Sequence, residues 1–211
     1  MSKYPSGFKD KNLIAKETTY KREACALFDD LFGSTRGRRL VQKGRLDDIA
    51  MGIKKVFQAT NLPASQDSMA INDGLKDKAA AAGFLTGVLD FVDAPGPGSF
   101  GALVDRVECL PARAGRARVL TWPIVTLLPF FADPDQFIFL KPTMTKVAAE
   151  RLFFDLSYDS RPNWRTYDRA ISFANSLRQL LKPHHAKDLL DIQTFIWETA
   201  GAPAMRARAR S

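Results

Sequence analysis

Apolar residues recur at helical spacing along most of this chain, with charged residues between them. The clearest case is a helix predicted from residue 46, whose apolar face carries Leu46, Ile49, Ala50, Ile53 and Phe57. Two aspartates in its first turn suit the positive end of the helix dipole. Similar patterns predict further helices over residues 17–32, 65–75, 79–92, 100–110, 142–152, 162–181 and 188–197.

The stretch 119–142 is apolar on every side and carries no charge between Thr121 and Asp133. Such a segment must be surrounded by protein or by lipid. The uncharged run between Thr121 and Asp133 is shorter than the roughly 20 residues that a membrane-spanning helix needs. We therefore predict a buried helix that begins at Thr121 and is kinked or ended by Pro129, onto which the amphipathic helices pack.

No segment has a strand pattern long enough for a β-sheet. Phe137–Leu140 is predicted to be either one brief extended segment or a buried connection. The predicted fold class is mostly α: an irregular helical bundle around a buried, proline-interrupted apolar helix, with little or no β-sheet.

The distribution of polar and glycine-rich segments predicts the domain organisation. The predicted parts are a flexible arm, a single helical domain and a disordered basic tail, over residues 1–16, 17–200 and 201–211. The segment 93–99, Asp-Ala-Pro-Gly-Pro-Gly-Ser, either divides subdomains 17–92 and 100–200 or simply joins two helices.

Length and composition are those of an ordinary globular protein. The chain has 211 residues, of which 45% are hydrophobic, and this favours a single domain. Two cysteines are too few for a disulfide framework. The first residues contain neither an apolar run nor a signal-type cleavage site, so we predict a cytoplasmic protein without a membrane partner.

The positive charge is concentrated in segments that lack acidic residues. Three clusters contain Arg36, Arg38, Arg39, Lys43 and Arg45, then Arg113, Arg116 and Arg118, and finally Arg206, Arg208 and Arg210. Two glycines in the first of these segments, residues 34–45, predict a loop or a short broken helix there. The clustered cations outnumber the net charge of +8, so the rest of the chain is net negative. Unpaired arginines in loops can contact phosphates and add salt-dependent affinity for nucleic acid. The alternative is solvated loops whose charge keeps the protein soluble.

Arg161 and Arg165 flank Trp164 at a predicted helix start. Two arginines, an amide and an aromatic residue in this position suit contact with a phosphate or a base. The competing interpretation is a helix start whose tryptophan is buried. We include both arginines among the predicted nucleic-acid-binding residues.

Signals for catalysis are weak. The only histidines, His184 and His185, are adjacent in a proline-containing turn. Asp188 and Asp191 share a helix face and could hold a cation, but charge in a first helical turn explains them more simply. Residues 96–98 lack the lysine and hydroxyl of a nucleotide loop. We therefore predict no catalytic residue, no metal site and no cofactor.

Four short motifs together resemble a known sequence family. They are Thr121-Trp-Pro, Phe139-Leu-Lys-Pro-Thr143, Ser160-Arg-Pro-Asn-Trp164 with Tyr167, and the stretch from Asp188 to Trp197. Over residues 17–197 the chain resembles a family of uncharacterised bacterial proteins. Its C-terminal half is similar to a helical segment of restriction-associated AAA+ proteins. The chain has no ATPase motif, so the resemblance implies only an accessory role linked to DNA or to defence.

These observations lead to one main hypothesis and two alternatives. The main hypothesis is a non-enzymatic, nucleic-acid-associated protein that contacts the phosphate backbone through arginine-rich loops. The first alternative is a protein-interaction or adaptor module of a bacterial defence or DNA-processing system, for which the charge is incidental. The second is an enzyme whose site the sequence does not reveal.

Overall fold

The computed structural model describes residues 3–33, 35–112, 115 and 118–201, with Gly201 described for its backbone alone. Eleven α-helices in these residues are α1 Lys11–Leu13, α2 Thr19–Phe32, α3 Arg36–Gln42, α4 Leu46–Gln58, α5 Ser65–Gly74, α6 Lys78–Asp93, α7 Pro97–Glu108, α8 Trp122–Ala132, α9 Pro142–Arg151, α10 Trp164–Leu180 and α11 Leu189–Ile196. Short 3₁₀ helices span Gly7–Lys9 and Lys182–His184, and π-helical turns span Ile14–Thr18 and Trp197–Gly201. Because no strand occurs in the described ranges, the predicted mostly α fold is confirmed.

Helix α8 lies at the centre of the core, as the sequence predicted. Every residue from Trp122 to Phe131 is buried, and α2, α5, α6 and α7 all contact this helix. The helix continues past Pro129 to Ala132, so the proline does not end it. The Thr126 hydroxyl donates to the Trp122 carbonyl at 2.7 Å and accepts from the Leu140 N–H at 3.0 Å. This hydroxyl therefore ties α8 to the buried connection that follows it.

Helices α6 and α7 form a closely packed hairpin. Gly87 on α6 faces α7 so closely that a Cβ there would lie 3.3 Å from the Leu103 Cα. The Ser99 hydroxyl closes the turn by donating to the Ala94 carbonyl at 2.6 Å. The segment 93–99 therefore joins two packed helices, and helices on both sides of it share one core.

The N-terminal segment departs from the predicted flexible arm. Tyr4, Phe8 and Leu13 are buried in the core cluster. Glu198 accepts hydrogen bonds from Lys3 and Lys16, at 2.7 and 2.9 Å. The prediction of an arm is therefore wrong for residues 3–16, since three apolar side chains are buried in the core and two ion pairs fasten this segment to Glu198.

Two further observations complete the fold. The predicted basic tail lies outside the described residues, apart from Gly201. Among the helices of the described ranges, none is long and apolar enough to cross a membrane.

Candidate nucleic-acid interface

The first predicted basic segment is largely helical. Residues 36–42 form α3, and Gly44 in the turn to α4 has a φ of +61°, a left-handed conformation that glycine adopts without steric cost. The sequence had predicted a loop or a short broken helix for this segment. A helix followed by a glycine turn holds its cations in fixed relative positions.

Three of the five cations in this segment are paired with carboxylates. The pairs are Arg36 with Asp30 at 3.1 Å, Arg38 with Asp90 at 2.9 Å and Asp93 at 2.6 Å, and Arg45 with Asp48 at 2.5 Å. The hydrogen bond to Asp93 is the main reason that the pKa of Arg38 is raised. The expectation of unpaired arginines is therefore wrong for these three, because α2, α4 and α6 supply the acids.

Arg39 and Lys43 remain available for a ligand. They lie one turn apart along the segment, and both are exposed. Neither forms an ion pair with any residue in the described ranges. Of the first cluster, these two residues can bind a phosphate without first breaking an ion pair.

A cleft of about 580 Å³ brings together arginines from two other predicted segments. Arg118 and Arg161 both line it, although 43 positions separate them in the chain. The end of α7, the residues that precede α8 and the loop 158–161 form its walls. Its apolar floor includes Trp122 and Pro123, so a cation-bearing rim surrounds an apolar base.

Glu108 holds Arg161 at the rim of this cleft. The guanidinium donates to both carboxylate oxygens of Glu108, at 3.0 and 2.9 Å. The hydrogen bond from Arg161 is the main cause of the lowered pKa of Glu108. Both side chains are more than half exposed, at 59% and 51%, and an exposed pair of this kind contributes little to stability. A phosphate can therefore compete with Glu108 for the guanidinium.

The loop 158–161 adds an aromatic ring to the lining of the cleft. Tyr158 lines the cleft, and the Lys146 Nζ lies 4.8 Å from the centre of its ring. Burial is the main cause of the raised pKa of Tyr158. Trp122 is buried, and its indole N–H donates to the Asp159 carbonyl at 2.9 Å. Trp122 therefore shapes the floor, whereas the half-buried Tyr158 is accessible to a ligand in the cleft. Lys146 lines a neighbouring pocket on which Tyr158 also borders.

The remaining predicted arginines fall into two groups. Arg165 is exposed in the first turn of α10, where the Asn163 side chain caps the helix by accepting from the Thr166 N–H at 3.0 Å. Its guanidinium lies 3.4 Å from the Ser157 hydroxyl, next to Tyr158. Arg113 and Arg116 lie outside the described residues.

The cleft and the α3 segment lie towards opposite ends of the α6–α7 hairpin. Arg38 of α3 pairs with Asp93 at the C-terminal end of α6. At the other end of the hairpin, Arg106 of α7 packs beside Gly83 of α6, and Glu108 follows Arg106 by two residues. Asp93 and Gly83 are ten residues apart in α6, which corresponds to about 15 Å along the helix axis. The predicted cations thus form two separate candidate contacts.

The acidic pair that could have held a cation instead has a structural role. The Asp188 side chain accepts from the N–H groups of Leu190 and Asp191, at 3.1 and 3.2 Å, and so caps α11. Asp188 also pairs with Arg22 at 2.9 Å. Across the ranges that the structure describes, no three histidine, cysteine or acidic side chains are grouped so that they could hold a metal ion.

Sequence reasoning missed Glu108 and Tyr158 as members of the site. Glu108 looks like any exposed acid at a helix end, and its partner Arg161 is 53 positions away. The sequence offered no local signal that would have joined these residues. Comparisons with protein-family models, with curated proteins and with solved structures yielded no significant match for this chain.

Proposed function

We propose that the protein is a non-enzymatic, nucleic-acid-associated protein that contacts phosphates at the cleft lined by Arg118 and Arg161. The observation that carries this proposal is the convergence of two basic segments, distant in sequence, on one cleft with an aromatic wall. Proteins that bind single strands combine cations along a groove with aromatic side chains beside it. Tyr158 supplies such a ring in the loop that also carries Arg161.

The exposed ion pair at the rim supports this proposal chemically. Arg161 presents a planar fork of donors to Glu108, and the same fork fits two phosphate oxygens. Replacing an exposed carboxylate by a phosphate exchanges one charge-assisted contact for another. Arg118 also lines the cleft, is exposed and forms no ion pair in the described part of the chain. It can therefore contact a second phosphate without first giving up a carboxylate.

The test is binding of a labelled duplex and a labelled single strand by fluorescence anisotropy, with the full chain at low and at physiological salt. We expect binding that weakens with salt, because each neutralised phosphate releases counterions. The variant Arg118→Ala/Arg161→Ala should weaken binding and lower the slope of log K against log salt by about one per lost contact.

Two comparison variants remove the same charge elsewhere, one from the second candidate contact and one, the control, from neither contact. Arg39→Ala/Lys43→Ala removes two cations from the α3 segment, and Lys9→Ala/Lys182→Ala removes two exposed cations far from the cleft along the chain. Equal losses in all three variants would mean that net charge, and not the cleft, governs binding. Absence of binding to either probe at low salt would refute the proposal, since nonspecific contact is then most favourable.

A further inference from the structure

The loop 155–161 presents Tyr158 and Arg161 to the cleft in a fixed conformation. Ser157 has a φ of +44°, in the left-handed region that residues other than glycine rarely adopt. Asp155 stabilises this conformation, because its carboxylate accepts from the Ser157 N–H at 2.7 Å and from the Ser157 hydroxyl at 3.1 Å. Backbone strain of this kind persists only where the surrounding structure enforces it, and it clusters at binding and catalytic sites.

Helix α10 and the cleft floor fasten the same loop. The buried Thr166 hydroxyl donates to the Ser157 carbonyl at 2.8 Å and accepts from the Asp159 N–H at 3.1 Å. The Trp122 indole N–H donates to the Asp159 carbonyl at 2.9 Å. Tyr158 lies in the chain between these two fastened residues. Its position is therefore set before any ligand binds, and little conformational freedom is lost on binding.

The size of the cleft fits one unpaired nucleotide and excludes a duplex. Its volume of about 580 Å³ lies within the roughly 300–1,000 Å³ of pockets that enclose a drug-sized molecule, and a nucleoside is of that size. A cube of that volume has an edge of about 8 Å, whereas the major groove of a duplex is already about 12 Å wide. A duplex can therefore touch only the rim, while a single base can reach the apolar floor at Trp122 and Pro123.

The charges at the cleft favour a ligand with few phosphates. Among the described residues, the charged side chains that line it are Arg118, Arg161 and Glu108. Outside the lining, cations and acids that belong to the loop, contact it or act on Arg161 are present in equal number: Lys146, Arg165, Arg169, Asp105, Asp155 and Asp159. Two lining arginines against one acid therefore suit one or two phosphates, and the dense phosphate array of a duplex would also face the acids.

We propose that the cleft binds single-stranded nucleic acid, with one unpaired base stacked on Tyr158 and the flanking phosphates on Arg161 and Arg118. This inference rests on the proposed function and adds the class of nucleic acid and the residue that contacts the base. Aromatic rings stack on bases with little regard to sequence, because every base has a π-face. Lys146 contacts the Tyr158 ring from the neighbouring pocket, so it leaves the side that lines the cleft open.

The test compares three labelled ligands by fluorescence anisotropy with the full chain: a thymidine oligonucleotide, an abasic strand of the same length and charge, and a duplex of that length. We expect the thymidine strand to bind at least about fivefold more tightly than the abasic strand. Tyr158→Ala should abolish this preference without changing the slope of log K against log salt, since it removes the ring and leaves every cation.

Tyr158→Phe is the matched control, because it keeps the ring and removes only the hydroxyl. Its affinity for the thymidine strand should stay within about twofold of that of the native chain. Binding of the duplex should be weaker than binding of the thymidine strand, and Tyr158→Ala should leave it unchanged.

The outcomes separate this inference from the proposed function. If Arg118→Ala/Arg161→Ala weakens binding but Tyr158→Ala leaves the affinity for the thymidine strand unchanged, the cleft contacts phosphates and the single-strand inference is overturned. Equal losses of Tyr158→Ala for the thymidine and abasic strands, a duplex that binds as tightly as the thymidine strand, or displacement of that strand by an equimolar amount of thymidine monophosphate overturns it as well. If the arginine variant changes nothing, the proposed function itself fails, whatever Tyr158→Ala does.

Discussion

Lys21 carries a positive charge inside the core, and replacing it should reveal a specific dependence of stability on pH. Its side chain is fully buried, and its Nζ donates to the Thr194 hydroxyl at 2.7 Å. Glu17 lies 4.0 Å away. Burial lowers the pKa of Lys21 from 10.5 to about 8, although Glu17, Asp191 and Glu198 oppose the shift.

The sign of the effect follows from which state binds more protons. Between pH 8 and 10.5 the Lys21 ammonium of the unfolded chain stays protonated, whereas the folded chain releases that proton. Stability therefore rises with pH in this window. From about pH 7 to about pH 9.5, the shift corresponds to a gain of about 2 kcal/mol in the free energy of unfolding.

The assay compares the native chain with Lys21→Met by urea denaturation at several pH values. Methionine has a similar length and no charge, so the native chain should gain about 2 kcal/mol relative to the variant between about pH 7 and about pH 9.5. Burial also raises the pKa of Cys25, to about 12, but this thiol is present in both proteins and its effect cancels in the difference. Parallel stability curves, or a native chain that loses stability relative to Lys21→Met, would refute the reasoning.

Three other substitutions test the packing, each by urea denaturation. Gly52→Ala places a Cβ 2.5 Å from the Phe32 ring and should destabilise the fold by about 1–3 kcal/mol. Gly101→Ala is the matched control: the glycine is exposed in α7 with nothing within 4 Å of a Cβ, so alanine should stabilise by about 0.5–1 kcal/mol. Thr126→Val leaves the buried N–H of Leu140 without its acceptor and should cost about 1–3 kcal/mol, whereas Thr126→Ser should retain most of the stability.

The helices were predictable because their signal is local. The predicted apolar face of α4 is buried at Ile49, Ala50, Ile53 and Phe57, since a period of 3.6 residues places these side chains on one side. The burial of α8 followed from its lack of any charge over eleven residues, Trp122–Ala132. Neither inference required knowledge of a neighbouring helix.

The charge pattern was less informative, because pairing depends on residues that are distant in sequence. Arg38 meets Asp90 and Asp93, which are 52 and 55 positions away. A count of charges along residues 34–45 detects none of this, so it overestimates the number of free cations. For the same reason, the sequence did not indicate that Arg161, a predicted contact residue, pairs with Glu108.

The N-terminal segment shows how a few apolar residues can outweigh a polar composition. Tyr4, Phe8 and Leu13 are spaced widely among lysines, and no helical face can be recognised from them. Each is nevertheless at most 7% exposed, because these side chains pack into the core cluster and Glu198 pairs with two of the lysines. Such an attachment depends on a surface formed more than 180 residues later in the chain.

The opposite case is an apolar run for which the sequence predicts more burial than the structure shows. This run consists of Leu152, Phe153 and Phe154. From the sequence, all three residues would be expected in the core, and the helical period alone does not indicate which side chain faces solvent. The left-handed φ of Phe153 decides the matter, because it reverses the turn and sends one ring outward while the next packs on Phe173. Glycine at this position would remove both the strain and the exposed ring without disturbing either hydrogen bond of the turn. Folding alone therefore gives no reason for a phenylalanine at this position.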